Sequence, residues 1–365
     1  MSELRQIVAL WRAARTRQEE VCLATVVRVE GSSYRKPGAR MLLTRDGQRA
    51  GTISGGCLEA EVAKKAWWLT EIGPSIQRYS SFFDDDAPYG LGCGGTVHIL
   101  VERGVAAHAV LNALEQSLEV RTPFVIIADT NKPATLLVQP REGMAYLQSS
   151  DLPSTTSELV SRAFSDGRSH YAPHDAETNL FVEYVAPPTA FTIFGAGDDA
   201  KPLAESAHSL GWHVTVADGR SHLARAERFP SADYFAVLDY EHPAPLSSLP
   251  IGLGDAAVLL THSYEQDRAL LRELLATNLK YLGVLGPRQR TMRLVSEVAA
   301  PLGLSPEECM ARLHAPVGFD IGAHTPESIS LSIVSEVFAV LQGREGLSLR
   351  KTLTTSRHST HLLHV

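Results

Sequence analysis

Hydrophobic and polar positions follow two rhythms along this chain, and the rhythm changes at Pro187-Pro188. Between Leu4 and Arg17, the residues Ile7, Leu10, Trp11 and Ala14 return at helical spacing and share one face. Val21 to Val29 is an apolar, β-branched run that reads as a strand, and Gly31-Ser32-Ser33 breaks it. Met41–Thr44 and Arg49–Ile53 flank Asp46-Gly47, a dipeptide that accepts a tight turn, so they read as a hairpin. Helical spacing resumes from Leu58 to about Leu69 and again from His108 to Glu119. Further strands are predicted at Val97–Glu102, Phe124–Asp129, Thr135–Val138 and Phe181–Val185. This mixed order predicts an α+β domain over residues 1–187.

Strand and helix then alternate. Ala190–Phe194 runs into Gly195-Ala196-Gly197-Asp198-Asp199-Ala200, and a helix follows with Leu203, Ala204, Ala207 and Leu210 facing inward. His213–Ala217 is a strand ending at Asp218, and Tyr234–Leu238, Ala256–Thr261 and Tyr281–Leu285 supply three more. Helices are expected at Gln266–Thr277, Arg288–Ala300 and Pro326–Leu341, the last with proline at its first position. Alternation of this kind predicts a Rossmann-like, doubly wound parallel sheet over residues 189–346. The fold class is therefore α/β: an N-terminal mixed α+β domain followed by the parallel sheet. Residues 347–365 form a polar tail whose His358, His361 and His364 read as solvated.

The composition narrows the function. The net charge of -7 argues against nucleic-acid binding, which needs a basic face. No apolar run approaches the ~20 residues of a membrane span. The first residues open an amphipathic helix and not a signal peptide, and four unevenly spaced cysteines without a CxxC form neither a disulfide framework nor a zinc site. A reducing cytoplasm is the expected compartment.

Two of those cysteines sit in glycine clusters, Gly55-Gly56-Cys57-Leu58-Glu59 and Gly92-Cys93-Gly94-Gly95. Glycine strips away side-chain bulk, so a thiol there is approachable and neighbouring amides can face an anion. Cys57 also opens a helical stretch, where the dipole favours a thiolate or a bound phosphate. The plain alternative is that tight turns need glycine and that free cysteine packs as a small hydrophobe. In the second domain Gly195, Gly197 and Ala200 fit the dinucleotide fingerprint, and Asp218 stands where an acid would meet a ribose 2′-hydroxyl. Asp198 and Asp199 open the following helix; they would cap it and repel a pyrophosphate. His262 follows the fourth strand of this sheet, at the ligand-binding carboxyl edge.

Seven ordered blocks carry a resemblance over nearly the whole chain. They are Gly31 to Met41, with Tyr34-Arg35-Lys36-Pro37-Gly38 at its centre; Gly51 to Glu59; Gly92-Cys93-Gly94-Gly95; the Gly195 turn; Asp218-Gly219-Arg220; Thr261-His262 with Tyr281 to Gly286; and Ala315 to Gly322, continuing to Ile329. On these blocks the chain resembles the XdhC/CoxI accessory factors of xanthine dehydrogenase and carbon monoxide dehydrogenase. The resemblance implies a chaperone that binds the molybdenum cofactor (molybdopterin) as cargo, protects it during sulfuration and inserts it into a xanthine dehydrogenase-type apo-enzyme. A cysteine desulfurase is then the implied sulfur source. A phosphate-bearing pterin with a thiophilic metal suits a glycine-lined anion site with accessible thiols.

Under that resemblance Cys57 and Cys93 are the residues expected to ligate molybdenum or relay sulfur, and to converge on one cleft. Gly55, Gly56, Glu59 and Gly94 are the expected cofactor contacts of the first domain. Gly195, Gly197, Ala200, Asp218, Arg220 and His262 are those of the second. Two positions depart from the family pattern: Asp198-Asp199 replaces a His-apolar pair, and Pro287 replaces a serine after Gly286. The competing reading is an NAD(P)-dependent oxidoreductase built on the second domain, which leaves both cysteine clusters idle. A third is a structural adaptor that has lost its ligand. Apolar sheet edges and the two-domain build allow a homodimer.

Overall fold

Strands and helices of the N-terminal half follow from alternation at period two and stripes at period 3.6. The computed structural model describes residues 2–80, 95–141, 156–173, 179–240, 246, 249, 251–252 and 254–350. The chain divides into two compact units between Pro188 and Thr189. In the first, α1 (Glu3–Thr16) leads to β1 (Val21–Glu30), β2 (Arg40–Thr44), β3 (Arg49–Gly51), α2 (Cys57–Leu69), β4 (Ser75–Ser80), β5 (Thr96–Arg103) and α3 (Gly104–Val120). There follow β6 (Phe124–Asp129), β7 (Ala134–Pro140), α4 (Thr156–Asp166), β8 (His170–Pro173) and β9 (Asn179–Val185).

These strands form two antiparallel sheets, ordered β3-β2-β1-β5-β4 and β7-β6-β9-β8. Alternation within β1 sends Val21 and Leu23 towards α1 and α3, and Cys22, Ala24 and Val26 towards α2. The same rule in β6 turns Phe124 and Ile126 to α3, and Val125 and Ile127 to α4. Helix α3 thus packs against both sheets. Three elements described in this unit were not expected from sequence: α4, β4 and β8. Both strands lie at sheet edges, and β4 is half-buried along nearly its whole length, so its apolar alternation is weak.

The sheets are also joined by polar groups. Arg40 of β2 and Glu183 of β9 form a two-point ion pair with side chains only 7% and 8% exposed. Arg40 Nη1 lies 2.8 Å from Glu183 Oε1 and 2.8 Å from the Gly38 carbonyl. Buried Glu102 of β5 accepts from the Thr135 amide and hydroxyl of β7 at 2.8 and 2.7 Å. The Tyr171 hydroxyl of β8 donates to the Val27 carbonyl of β1 at 2.7 Å.

The second unit contains β10 (Ala190–Phe194), α5 (Ala200–Ser209), β11 (His213–Asp218), β12 (Tyr234–Val237), β13 (Ala256–Leu259), α6 (Tyr264–Leu274), β14 (Tyr281–Val284), α7 (Arg288–Val298), α8 (Pro306–Ala311) and α9 (Pro326–Leu341). Its strands are all parallel in the order β12-β11-β10-β13-β14. Helices α5 and α9 cover one face and α6, α7 and α8 the other, which is the doubly wound arrangement. Thr325 and Ser328 cap α9 reciprocally, with Pro326 at its first position. Among the described residues no helix is long and apolar enough to cross a membrane.

The Arg40–Glu183 pair yields a stability test. Glu183→Ala leaves a guanidinium buried without its counter-charge and is expected to cost about 3–5 kcal/mol. The double variant Arg40→Met, Glu183→Leu is expected to recover most of that loss. Urea unfolding in which Glu183→Ala costs less than ~1 kcal/mol, the range of an exposed pair, would show that the two sheets do not depend on the contact.

Candidate functional site

The segment from Ile53 to Glu59 is built around one carboxylate. Glu59, 4% exposed, accepts from the amides of Ile53 and Ser54 at 3.1 and 2.8 Å and from the Ser54 hydroxyl at 2.5 Å. The Ser54 Oγ accepts in turn from the amides of Gly56 and Leu58, each at 3.2 Å. Burial opposes the charge on Glu59, yet the Ser54 hydroxyl and the amides of Ser54, Glu59 itself and Ile53 outweigh it and hold the carboxyl below its usual range. Glu59 therefore shapes the turn ahead of Cys57 from within; its carboxylate is not free to meet a ligand. Several of the amides expected to face an anion are likewise engaged by the chain itself.

That turn delivers Cys57 as the first residue of α2. Gly56 precedes it with φ 116°, a conformation that favours glycine, and both Gly55 and Gly56 are exposed. The Cys57 side chain, and Cys93 and Gly94 altogether, lie outside the described residues. What is described is how Gly55 and Gly95 lie against the 31–40 segment. A Cβ on Gly55 would stand 3.5 Å from the Tyr34 ring. A Cβ on Gly95 would stand 2.0 Å from the Ser32 carbonyl oxygen, so only glycine allows the approach. Gly55 thus lies beside Tyr34 and Gly95 against Ser32, two residues away.

The remaining cysteines are packing residues. Cys22 is fully buried with its Sγ 3.8 Å from the Thr70 hydroxyl, and burial pushes its thiol up to about 11. Cys309 of α8 is fully buried in the core of the second unit, and burial raises its thiol too. Among the described residues no group of three or more His, Cys, Asp or Glu side chains is arranged to hold a metal ion.

In the second unit Gly195, with φ 116°, turns the chain out of β10. A Cβ there would fall 2.3 Å from the Leu260 carbonyl, so the turn requires glycine. Ala200 is fully buried as the first residue of α5. Asp218 does not stand open for a ribose. It is 1% exposed, accepts from the Ala196 amide at 2.8 Å and the Arg220 amide at 2.8 Å, and is gripped by the Arg220 guanidinium at 3.0 and 2.9 Å. Burial acts against its charge, but Arg220 and the two amides hold the carboxyl below its usual range. Asp218 and Arg220 thus brace the Gly195–Gly197 turn from inside.

The two acids after that turn do not cap the helix as expected. Asp199 occupies the cap position of α5 with helical backbone angles and makes no capping bond. Its Oδ2 instead lies 2.8 Å from His262 Nε2, whose own backbone is left-handed at φ 58°. Asp198 is paired with Lys201 at 2.7 Å and Arg228 at 3.0 Å. Lys201 lies three residues on, within α5, whereas Arg228 and His262 come from distant loops that sequence spacing does not link to these acids.

With this geometry in view, residues 191–337 match the XdhC Rossmann domain and residues 14–80 match the XdhC and CoxI family. The chain belongs to the XdhC/CoxI family. It is 33% identical over 333 residues to a Bacillus subtilis protein named as a probable xanthine dehydrogenase component, covering 88% of this chain and 93% of that one. It is 28% identical to the "Molybdenum cofactor insertion chaperone PaoD" of Escherichia coli over 87% of this chain and 82% of the relative. A solved structure named a xanthine dehydrogenase, from Bacillus halodurans, superposes with a TM-score of 0.76 at 28% identity, over 94% of this chain and 97% of the other.

The occupied turn of the second unit predicts weak or absent binding of NAD and NADP. Calorimetry giving a low-micromolar dissociation constant for either would overturn this. Replacing both acids (Asp198→Ser with Asp199→Ser) releases Lys201, Arg228 and His262 towards a pyrophosphate, and is expected to strengthen NAD binding by about tenfold or more.

Proposed function

We propose that this chain is a molybdenum cofactor chaperone: it binds the cofactor as cargo, protects it during sulfuration and delivers it to a xanthine dehydrogenase-type molybdenum hydroxylase. A cysteine desulfurase supplies the sulfur, and the cytoplasm is the compartment. The names of the Escherichia coli and Bacillus subtilis relatives support this reading at the level of the family. The observation that supports it is the approach of Gly55 and Gly95 to one segment, Gly55 beside Tyr34 and Gly95 against the Ser32 carbonyl.

In this reading Cys57 and Cys93, each two residues from one of those contacts, provide two soft sulfur ligands to one thiophilic metal. The first position of a helix favours the thiolate form that ligation or sulfur relay requires. Glu59 contributes by fixing the turn that leads into Cys57. The oxidoreductase reading lacks comparable support, since Asp218, its expected ribose contact, is buried and fully engaged.

Protein purified from cells that make molybdopterin is expected to carry it, detectable as a fluorescent pterin after oxidation. Cys57→Ala and Cys93→Ala are each expected to reduce both pterin retention and activation of a client molybdenum hydroxylase, with the thermal midpoint unchanged. In the native protein Cys57 and Cys93 should alkylate quickly with iodoacetamide, Cys57 faster, while buried Cys22 and Cys309 react only on unfolding. Wild-type levels of pterin and client activation in both variants would remove the thiols from the function.

A further inference from the structure

Residues 34–40 line an open cleft in the N-terminal unit. It measures about 480 Å³, inside the ~300–1,000 Å³ range of sites that enclose one small organic molecule. Leu4 and Ile7 of α1, Leu114 of α3 and Val185 of β9 give it apolar walls. Tyr34 and Lys36 stand at its rim, both exposed.

The charged residues lining the cleft are all ion-paired except one. Glu3 pairs with Arg35, and Arg40 with Glu183. Lys36 has no ion pair among the described residues, so a single ammonium is in surplus at the rim. Arg40 also lines the cleft, and its buried Nε has no hydrogen-bond partner among the described residues. An apolar slot with an exposed aromatic ring and one surplus cation suits a flat nitrogen heterocycle that carries a single phosphate monoester. It does not suit a polynucleotide, which needs a track of cations.

The cleft adjoins the Cys57 segment at two points. The Tyr34 ring lies beside Gly55, 3.5 Å from where a Cβ there would stand. Glu3 Oε1 accepts from the Thr52 amide at 2.6 Å and the Thr52 hydroxyl at 2.9 Å. A ligand in the cleft would therefore share the Tyr34 ring with the glycine turn that leads to Cys57.

We infer that this cleft holds the phosphate-bearing heterocyclic end of the bound cargo, with Tyr34 against the ring system and Lys36 on the phosphate. The inference rests on the chaperone reading for the identity of the ligand. The chemistry it names is shared by a pterin phosphate and a purine nucleoside monophosphate, and the two must be told apart by experiment.

Equilibrium dialysis of the full chain would use two probes: cofactor released from a molybdenum hydroxylase, and GMP. For the wild type, cofactor is expected to bind and GMP to bind more weakly. Lys36→Glu is expected to weaken cofactor binding by about tenfold, Lys36→Arg to restore it, and Leu4→Trp to block it by filling the slot, all with unchanged thermal midpoints. Cofactor treated with phosphatase should bind wild type and Lys36→Glu alike. If wild type binds cofactor but Lys36→Glu, Tyr34→Ala and Leu4→Trp bind it equally well, the cleft assignment falls and the chaperone reading stands. If wild type binds GMP with this Lys36 dependence and no cofactor, the cleft is a phosphate-heterocycle site and the chaperone reading falls. Binding of neither probe overturns both.

Discussion

Much of the N-terminal unit hangs on one contact between charged residues 143 apart in sequence, Arg40 and Glu183. Both are buried, so each charge is tolerable only while the other is held against it. The pair constrains what surrounds it. Gly38 has φ 94°, a conformation that favours glycine, and a Cβ there would crowd Glu183 Oε1 at 2.7 Å. That pins the end of the 31–40 segment to both sheets. The same segment then meets Gly55 through Tyr34 and Gly95 through Ser32. A contact made to join two sheets thereby holds the segment that Gly55 and Gly95 approach.

A second regularity links the two units. Each carries an acidic residue beside a glycine turn, and in each the carboxylate is turned inward. Glu59 engages the amides of Ile53 and Ser54, and Asp218 those of Ala196 and Arg220. An ionised carboxylate at 1–4% exposure needs several donors to offset lost hydration. The nearest donors are the amides of the adjoining turn. These acids therefore fix the loops around them. At the surface of the Gly195 turn the opposite holds: Asp198 and Asp199 are answered by Lys201, Arg228 and His262. A pyrophosphate entering there would have to displace protein carboxylates from the groups it needs.

The parallel sheet of the second unit was readable from sequence because its signals are local. Each strand is a short apolar run, each helix a stripe, and the start of α9 is written in Thr325, Pro326 and Ser328. The Gly195 turn was readable for the same reason. In the first unit, α1, β1, the β2–β3 hairpin and α2 were legible, whereas β4, β8 and α4 were not. An edge strand is packed on fewer sides, so selection for alternating apolar residues is weak there, and α4 is a short stripe with only Thr156, Val160 and Ala163 buried.

The division of nine strands among the described residues of that unit into two sheets has no local signal, since it depends on which strands pair across long separations. The candidate site divides in the same way. Sequence alone singled out the glycine-flanked cysteines, the dinucleotide-like turn and the two acids after it, because residue type and spacing carry that chemistry. Only the tertiary structure decided that Glu59 and Asp218 face inward, that His262 answers Asp199, and that Tyr34 adjoins the Cys57 turn. Each of these depends on a hydrogen bond or close approach between segments that meet only after folding, when burial forces every charge to find its partner.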